Sequence, residues 1–388
     1  MLNVGRCLYG LEKYVSEQDF AGFDPYDALN SPVLRALSFE QKYIRIAWTQ
    51  FMRRFPVNLR PWLSTSKGHN PKGLGLFLWG YSRLAEVHGK QAYEPSITRL
   101  LDLLEDSRSD CTGNAWGYNF DWQSRAVWVP KGTPTIVNSS FIGHALLNTW
   151  ETCGDQRALD MAVPIKDFIL NDLDRTRDGQ TFCFSYTPLD QLVVHNANLL
   201  GASLLIRLYQ VTGDNALRDT ALESLAWSMN RQHEDGSWPY ADTSYQQWID
   251  SFHTGFNLQA IRYFLNAGHA EEYRSEYEKG VNYYAKNFFL NDGTPKYYHD
   301  RVFPLDIHSP AQAIAFFAEE GEPFNRLTES IVQWLIDNLY DERRGYFYFR
   351  KGRSFTNRIP YMRWGQAWAF HALTAYILEQ NKPSSAAT

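Results

Sequence analysis

From about residue 38 onward, the apolar positions of this chain fall into two helical patterns that alternate. One is amphipathic: near 94–107, 156–172, 214–231, 270–288 and 323–339, apolar residues recur at three- and four-residue spacing and charge occupies the opposite side. The other is apolar or small on most faces, as in GASLLI (201–206) and AQAIAFF (311–317), the composition of a helix buried all round. Helices of this second kind open near Asn138, His195, His253, His308 and Arg363, at intervals of about 57, 58, 55 and 55 residues. Each interval has room for one helix, one long loop and another helix. An earlier pair is predicted from about Ser38, where Ile44, Trp48, Phe51 and Phe55 share a helical face, and from Pro71 to His88, where Pro71 suits a first turn.

Six αα pairs, each with one face needing cover, are buried most simply by closing them into a ring with inner and outer helices. The pattern therefore predicts an all-α (α/α)6 toroid over 38–381, a lead over 1–37 packed on it, and a disordered tail at 382–388. Connections such as ETCGDQ, QVTGDN and AEEGEP are short and glycine-marked, whereas the opposite connections are long and aromatic. The long ones gather on one face with the inner-helix N-termini, where a binding mouth is expected. TFCFSYT (181–187) and GYFYFRKGRSF (345–355) read as short β-hairpins in that rim.

Composition sharpens this picture. The chain has 13 Trp, 23 Tyr and 24 Phe, a 15% aromatic share that suits a wall stacking on flat ligand faces as well as a core. The formal charge of -5, with no long basic run, argues against nucleic acid. Cys7, Cys111, Cys153 and Cys183 are scattered without a CxxC pair, which fits a reducing, cytoplasmic setting. No segment reaches the length of a transmembrane helix, and the first residues turn acidic where a signal peptide would be apolar.

The Asp-Gly pairs at 178/179, 235/236 and 292/293 read as turns. The stronger candidates stand at the inner-helix openings. His195, His253 and His308 are expected as acid or base groups, with Tyr240 and Tyr298 as alternates and Asp250 as the acid of its opening. Asn138 and Arg363 suit a sugar carboxylate, which Arg or Asn neutralises while His or Tyr removes the acidified C5 proton of a uronate. Trp238, Trp248 and Trp364 are candidates for stacking on sugar faces, and Arg60, His69 and Asn70 for polar contacts. Asp250 with Asp190 or Asp306 forms the alternative, a carboxylate pair for glycoside hydrolysis. Residues spread around a ring do not suggest a metal centre, and no cofactor is expected.

Six such hairpins resemble the six-hairpin toroid superfamily, which implies glycoside hydrolase, polysaccharide lyase, sugar epimerase or terpenoid cyclase chemistry. FDPYDALNSP, NLRPWLSTSKGHNPKG, QHEDGSWPY and IPYMRWGQAWAFHAL together resemble proteins encoded with bacterial exopolysaccharide biosynthesis genes. QHEDGSWPY is also similar to the Gln-Trp repeat of terpene cyclases, but the chain has neither DxDD nor DDxxD. The expected function is thus a carbohydrate-active enzyme cleaving or epimerising an acidic oligo- or polysaccharide, by uronate lyase or epimerase chemistry. A hydrolase and a non-catalytic glycan binder are the rivals.

Overall fold

The computed structural model describes residues 4–382, so the predicted tail beyond Lys382 lies outside the described residues. The helices are, in chain order, α1 (Val4–Glu17), α2 (Pro32–Ala36), α3 (Lys42–Arg54), α4 (Pro71–His88), α5 (Glu94–Asp106), α6 (Ile136–Cys153), α7 (Gln156–Ala162) and α8 (Ile165–Asn171). They continue as α9 (His195–Thr212), α10 (Asn215–Met229), α11 (Ser251–Asn266), α12 (Arg274–Asn287), α13 (His308–Glu320), α14 (Asn325–Leu339) and α15 (Trp368–Asn381), the last preceded by a π-turn over Met362–Ala367.

Helices α4, α6, α9, α11, α13 and α15 each pack on the next, and α15 returns to α4, closing the inner ring of an all-α (α/α)6 toroid. Inner helices are buried at almost every position, as α4 is from Pro71 to Ala85. Outer helices bury one stripe, as α5 does with Ile97, Leu100, Leu101 and Leu104. Glycine lets the inner helices approach closely: a Cβ added at Gly201 would stand 2.2 Å from Ile136 Cδ1. The predicted outer helix at 156–172 is split into α7 and α8 at Pro164, which cannot continue the hydrogen-bond ladder.

One pair has a different membership from the predicted one. The sixth outer helix is α1, whose Cys7, Leu8, Leu11 and Val15 are buried and which packs on α15 and the π-turn. Phe20, just beyond it, lies 5.3 Å from Phe77 of α4. Helix α3, expected in that place, instead covers the mouth against the turn Asp27–Asn30, where Met52 joins a satellite core with Ala28 and Leu34. Both helices carry an apolar stripe, so local periodicity does not choose between them; the ring joins the two ends of the chain.

The rim loops carry short strands. β1 (Trp122–Gln123) pairs with β2 (Trp128–Val129), and β3 (Arg175–Asp178) pairs with β4 (Thr181–Phe184). β5 (Leu305–Asp306), β8 (Arg350–Lys351) and β9 (Thr356–Asn357) form one sheet, and β6 (Tyr340–Asp341) pairs with β7 (Tyr346–Phe347). Backbone bridges link a residue one or two before an inner helix to the next rim loop: Val194 to Ala241, Asp250 to Tyr298, and Asp306 to Arg350. Each loop thereby clasps its neighbour and fixes the wall around the mouth. Gly179, Gly236 and Gly293 all have positive φ, as the Asp-Gly turns require.

Candidate active site at the mouth of the ring

A cavity of about 260 Å³ opens where the inner helices begin. Every inner-helix opening sends at least one side chain to it, among them Lys72, Val137, Asn196, His253, His308 and Arg363. Three of these are the residues predicted for their openings. At the other three the wall residue is a neighbour of the expected one, Lys72 in place of His69 and Asn70, Val137 in place of Asn138, and Asn196 in place of His195. Successive side chains on a helix point about 100° apart, so at Val137 and Asn196 a one-residue offset decides between the cavity and the wall, while His69 and Asn70 precede α4.

The most organised group is Asp250 with His253. Asp250 precedes α11 and caps it, its Oδ1 accepting from the backbone N–H of His253 at 3.0 Å. Its Oδ2 accepts from His253 Nδ1 at 2.7 Å and from Trp248 Nε1 at 3.1 Å. The carboxylate therefore holds the Nδ1 proton in the neutral ring, and Nε2 keeps its lone pair without a protein partner. Asp250 is 3% exposed, and the His253 side chain 22%. This is a buried acid orienting an imidazole at a cavity wall, a geometry that can support general-base chemistry.

His308 is buried, and both of its ring nitrogens lack protein partners. It lies between Phe252, stacked at 4.4 Å, and Trp368, at 4.3 Å. Burial first, with smaller contributions from the neighbouring Lys72 and Arg363 side chains, holds its pKa well below the ordinary histidine value. Lys72 is buried as well, its Nζ 4.0 Å above the Phe141 ring, and among the described residues its side chain makes no hydrogen bond or ion pair. Burial first, then Arg363, hold its pKa well below that of an ordinary lysine, and Asp24 opposes this only in part. The aromatic faces favour an ammonium by about 2 kcal/mol. Removing that ammonium from water costs several, so burial prevails. A single charge in the first turn of a helix that is apolar or small from Gly73 to Ser82 is the sequence feature that marks this residue.

The aromatic wall includes Tyr240 and Trp248, stacked at 4.7 Å, together with Tyr298 and Trp364. Burial raises the pKa of Tyr240 and Tyr298, and the charge of Asp250 adds to it. Of the acid and base roles for which both were alternates, a raised pKa suits the protonated, donating one. Arg363 forks onto Asp24 through Nε at 2.6 Å and Nη2 at 2.8 Å, which leaves Nη1 without a protein partner. Arg53 of α3 reaches the cavity, and its one side-chain hydrogen bond is to the Tyr297 hydroxyl at 3.5 Å.

Several expected site residues do not line the cavity. Asp306 is spent on Arg350, on Trp364 Nε1 and on the backbone of His308. Asp190 staples its own turn through the backbone N–H groups of Tyr186, Thr187 and Leu192. Asp250 is consequently the one carboxylate on the cavity wall among the described residues. Arg60 is fully enclosed by Asp27, the Tyr361 hydroxyl and the Asp24 carbonyl. Trp238 is core, its Nε1 bonded to the Ser228 carbonyl. His69 bonds to the Asp19 carbonyl and Asn70 to Asn119. His195 turns outward onto Trp227, and Asn138 is buried within the ring. Among the described residues, no group of His, Cys, Asp or Glu could hold a metal ion, and no helix is long and apolar enough to cross a membrane.

No protein-family profile and no curated protein sequence matches the chain. Solved structures do resemble it. A cellobiose 2-epimerase from Bacillus thermoamylovorans superposes with a TM-score of 0.65 at 15% identity, covering 82% of this chain and 90% of the other. An α-mannanase of glycoside hydrolase family 76 from Bacteroides thetaiotaomicron gives 0.62 at 14% identity, with 81% and 88% covered. A D-mannose isomerase gives 0.61 at 10% identity, with 81% and 87% covered. These likenesses establish the shared toroid fold.

Proposed function

We propose that this chain is a sugar epimerase or isomerase that moves the proton on a carbon next to a carbonyl. The observation that carries the reading is the Asp250–His253 dyad, which presents an oriented imidazole Nε2 to an aromatic cavity. Proton abstraction needs such a base, and returning the proton to the opposite face needs a second group; His308, on the same cavity with both nitrogens unpartnered, is suited to that. Tyr240 and Tyr298, as protonated phenols, are suited to donate to the oxygen that gains charge. The toroid neighbours that act on sugars as epimerase and isomerase support the same reading.

Carboxylate-pair hydrolysis has less support, because Asp190 and Asp306 are occupied away from the cavity. The substrate class we favour is an acidic saccharide: Arg53 has no carboxylate partner, and Arg363 Nη1 is unspent. The proposed setting is cytoplasmic polysaccharide metabolism, supported by the exopolysaccharide-cluster resemblance and by four unpaired cysteines.

The test incubates the protein in D2O with reducing disaccharides and with uronate oligomers. NMR then follows deuterium entering the carbon next to the carbonyl, or C5 of the uronate. Exchange with formation of an epimer supports the proposal. An ultraviolet-absorbing unsaturated uronate would point to a lyase, new reducing ends to a hydrolase, and binding without turnover to a glycan-holding protein.

A further inference from the structure

We propose that Lys72 is a nucleophile that condenses, through its side-chain amine, with the carbonyl of an open-chain sugar or related 2-hydroxyaldehyde to form an imine. The geometry is that of an amine prepared for a carbonyl. Lys72 sits in the first turn of α4 on the cavity wall, and among the described residues its Nζ has no hydrogen-bond acceptor and no ion pair. The acid whose charge acts on Lys72, Asp24, has both oxygens taken by Arg363. The Nζ lies over Phe141 at 4.0 Å, Phe256 at 5.1 Å and Trp368 at 5.3 Å, so its surroundings are apolar apart from the cavity. Phe256 also brings the proposed proton-transfer groups to the same place, its ring centre being 5.8 Å from that of His253 and 5.7 Å from that of His308. A lysine set in an apolar pocket beside another cation is the usual way to keep an amine free at neutral pH.

The step balances without an oxidant or reductant. The nitrogen lone pair adds to the carbonyl carbon, and the carbonyl π pair moves to oxygen, which takes a proton. The carbinolamine then loses one nitrogen proton and its hydroxyl, leaving as water, to give the imine. On the epimerase reading, on which this continuation rests, the protonated imine draws electrons from the neighbouring carbon. The C2 proton passes to His253 Nε2, the C–H pair becomes the C1–C2 double bond, and the C=N pair returns to nitrogen. Protonation on the other face and hydrolysis release the epimer and the amine.

The experiment treats the folded protein near pH 7 with sodium cyanoborohydride and, separately, glycolaldehyde, D-mannose and D-glucuronate, followed by peptide mass mapping. An ordinary lysine, titrating at about 10.4, holds roughly one part in 2,500 as free amine there. Lys72 is therefore expected to gain the aldehyde, less one water and plus two hydrogens, at least about ten-fold faster than the surface lysines. Lys72→Met, checked for its fold by circular dichroism, should lose that early adduct. Adducts spread over surface lysines with Lys72 unmodified by all three aldehydes would overturn the proposal. Proton exchange in D2O is read in parallel. Exchange without a Lys72 adduct defeats the imine and leaves the epimerase reading standing; an adduct without exchange does the reverse.

Discussion

Replacing Asp250 with asparagine removes one charge and one acceptor from the centre of the proposed machinery while keeping its shape. Both carboxylate oxygens are in use, Oδ1 on the backbone N–H of His253 and Oδ2 on two donors, His253 Nδ1 at 2.7 Å and Trp248 Nε1 at 3.1 Å. An asparagine oxygen that keeps the helix cap puts its NH2 against those two donors. The imidazole relieves the conflict by moving its proton from Nδ1 to Nε2, and the base then faces the cavity already protonated. A hydrogen bond to a charged group contributes about 1.5–3 kcal/mol, and a positioned general base about 10²- to 10⁴-fold in rate. The exchange rate should therefore fall by about 10²- to 10⁴-fold, or about 3–5 kcal/mol of barrier. The cap survives, so the thermal midpoint should change little, whereas Asp250→Ala should also lose about 1 kcal/mol of helix capping. The assay is deuterium wash-in on both variants, with melting followed by circular dichroism. An Asp250→Asn protein that exchanges within about three-fold of the parent rate would refute the dyad.

His195→Gln should leave exchange intact, since the ring faces Trp227, and should flatten the acid limb of the stability curve. Burial lowers the folded pKa of His195 to about 3, while the unfolded value is about 6.5. The unfolded chain thus takes up the proton first as pH falls; stability is whole above about 6.5 and declines toward about 3, by about 2 kcal/mol at pH 5 in denaturant titrations. Arg350→Met strands the buried Asp306 and should cost about 3–5 kcal/mol in chemical denaturation; unchanged stability would return Asp306 to the list of free acids. Trp248→Ala removes both the wall that stacks on Tyr240 and a donor to Asp250, so KM for the saccharide should rise and kcat should fall in steady-state kinetics. A change in neither would separate Trp248 from the site.

The alternation of buried and amphipathic helices, read at intervals near 55 to 58 residues, was sufficient to identify a six-pair ring and the face carrying its mouth. Such information is local: a helix that is apolar all round has to be covered all round, and a long aromatic loop has to lie at one end. The opening residues His253, His308 and Arg363 were legible for the same reason. Other features depend on contacts between distant segments or on rotation about a helix axis. That α1 rather than α3 completes the outer ring follows from closure against α15, which no local period encodes. Asp306 is as polar as Asp250 in the sequence, and the donor that occupies it, Arg350, stands 44 positions away in the chain, whereas Asp190 is taken up by its own turn. His195 and Asn196 differ by one position, and about 100° of helical rotation sends one to the outer wall and the other to the cavity. In the sequence Lys72 is only a charge at the start of an apolar helix; the cage that leaves its Nζ without a hydrogen bond or ion pair among the described residues exists only once six helices surround it. The sequence by itself determined that a ring with an aromatic mouth would form, because periodic burial is a property of short segments. Only the tertiary structure decided which side chains face the axis and which remain unpartnered there, because both depend on how far-separated segments pack.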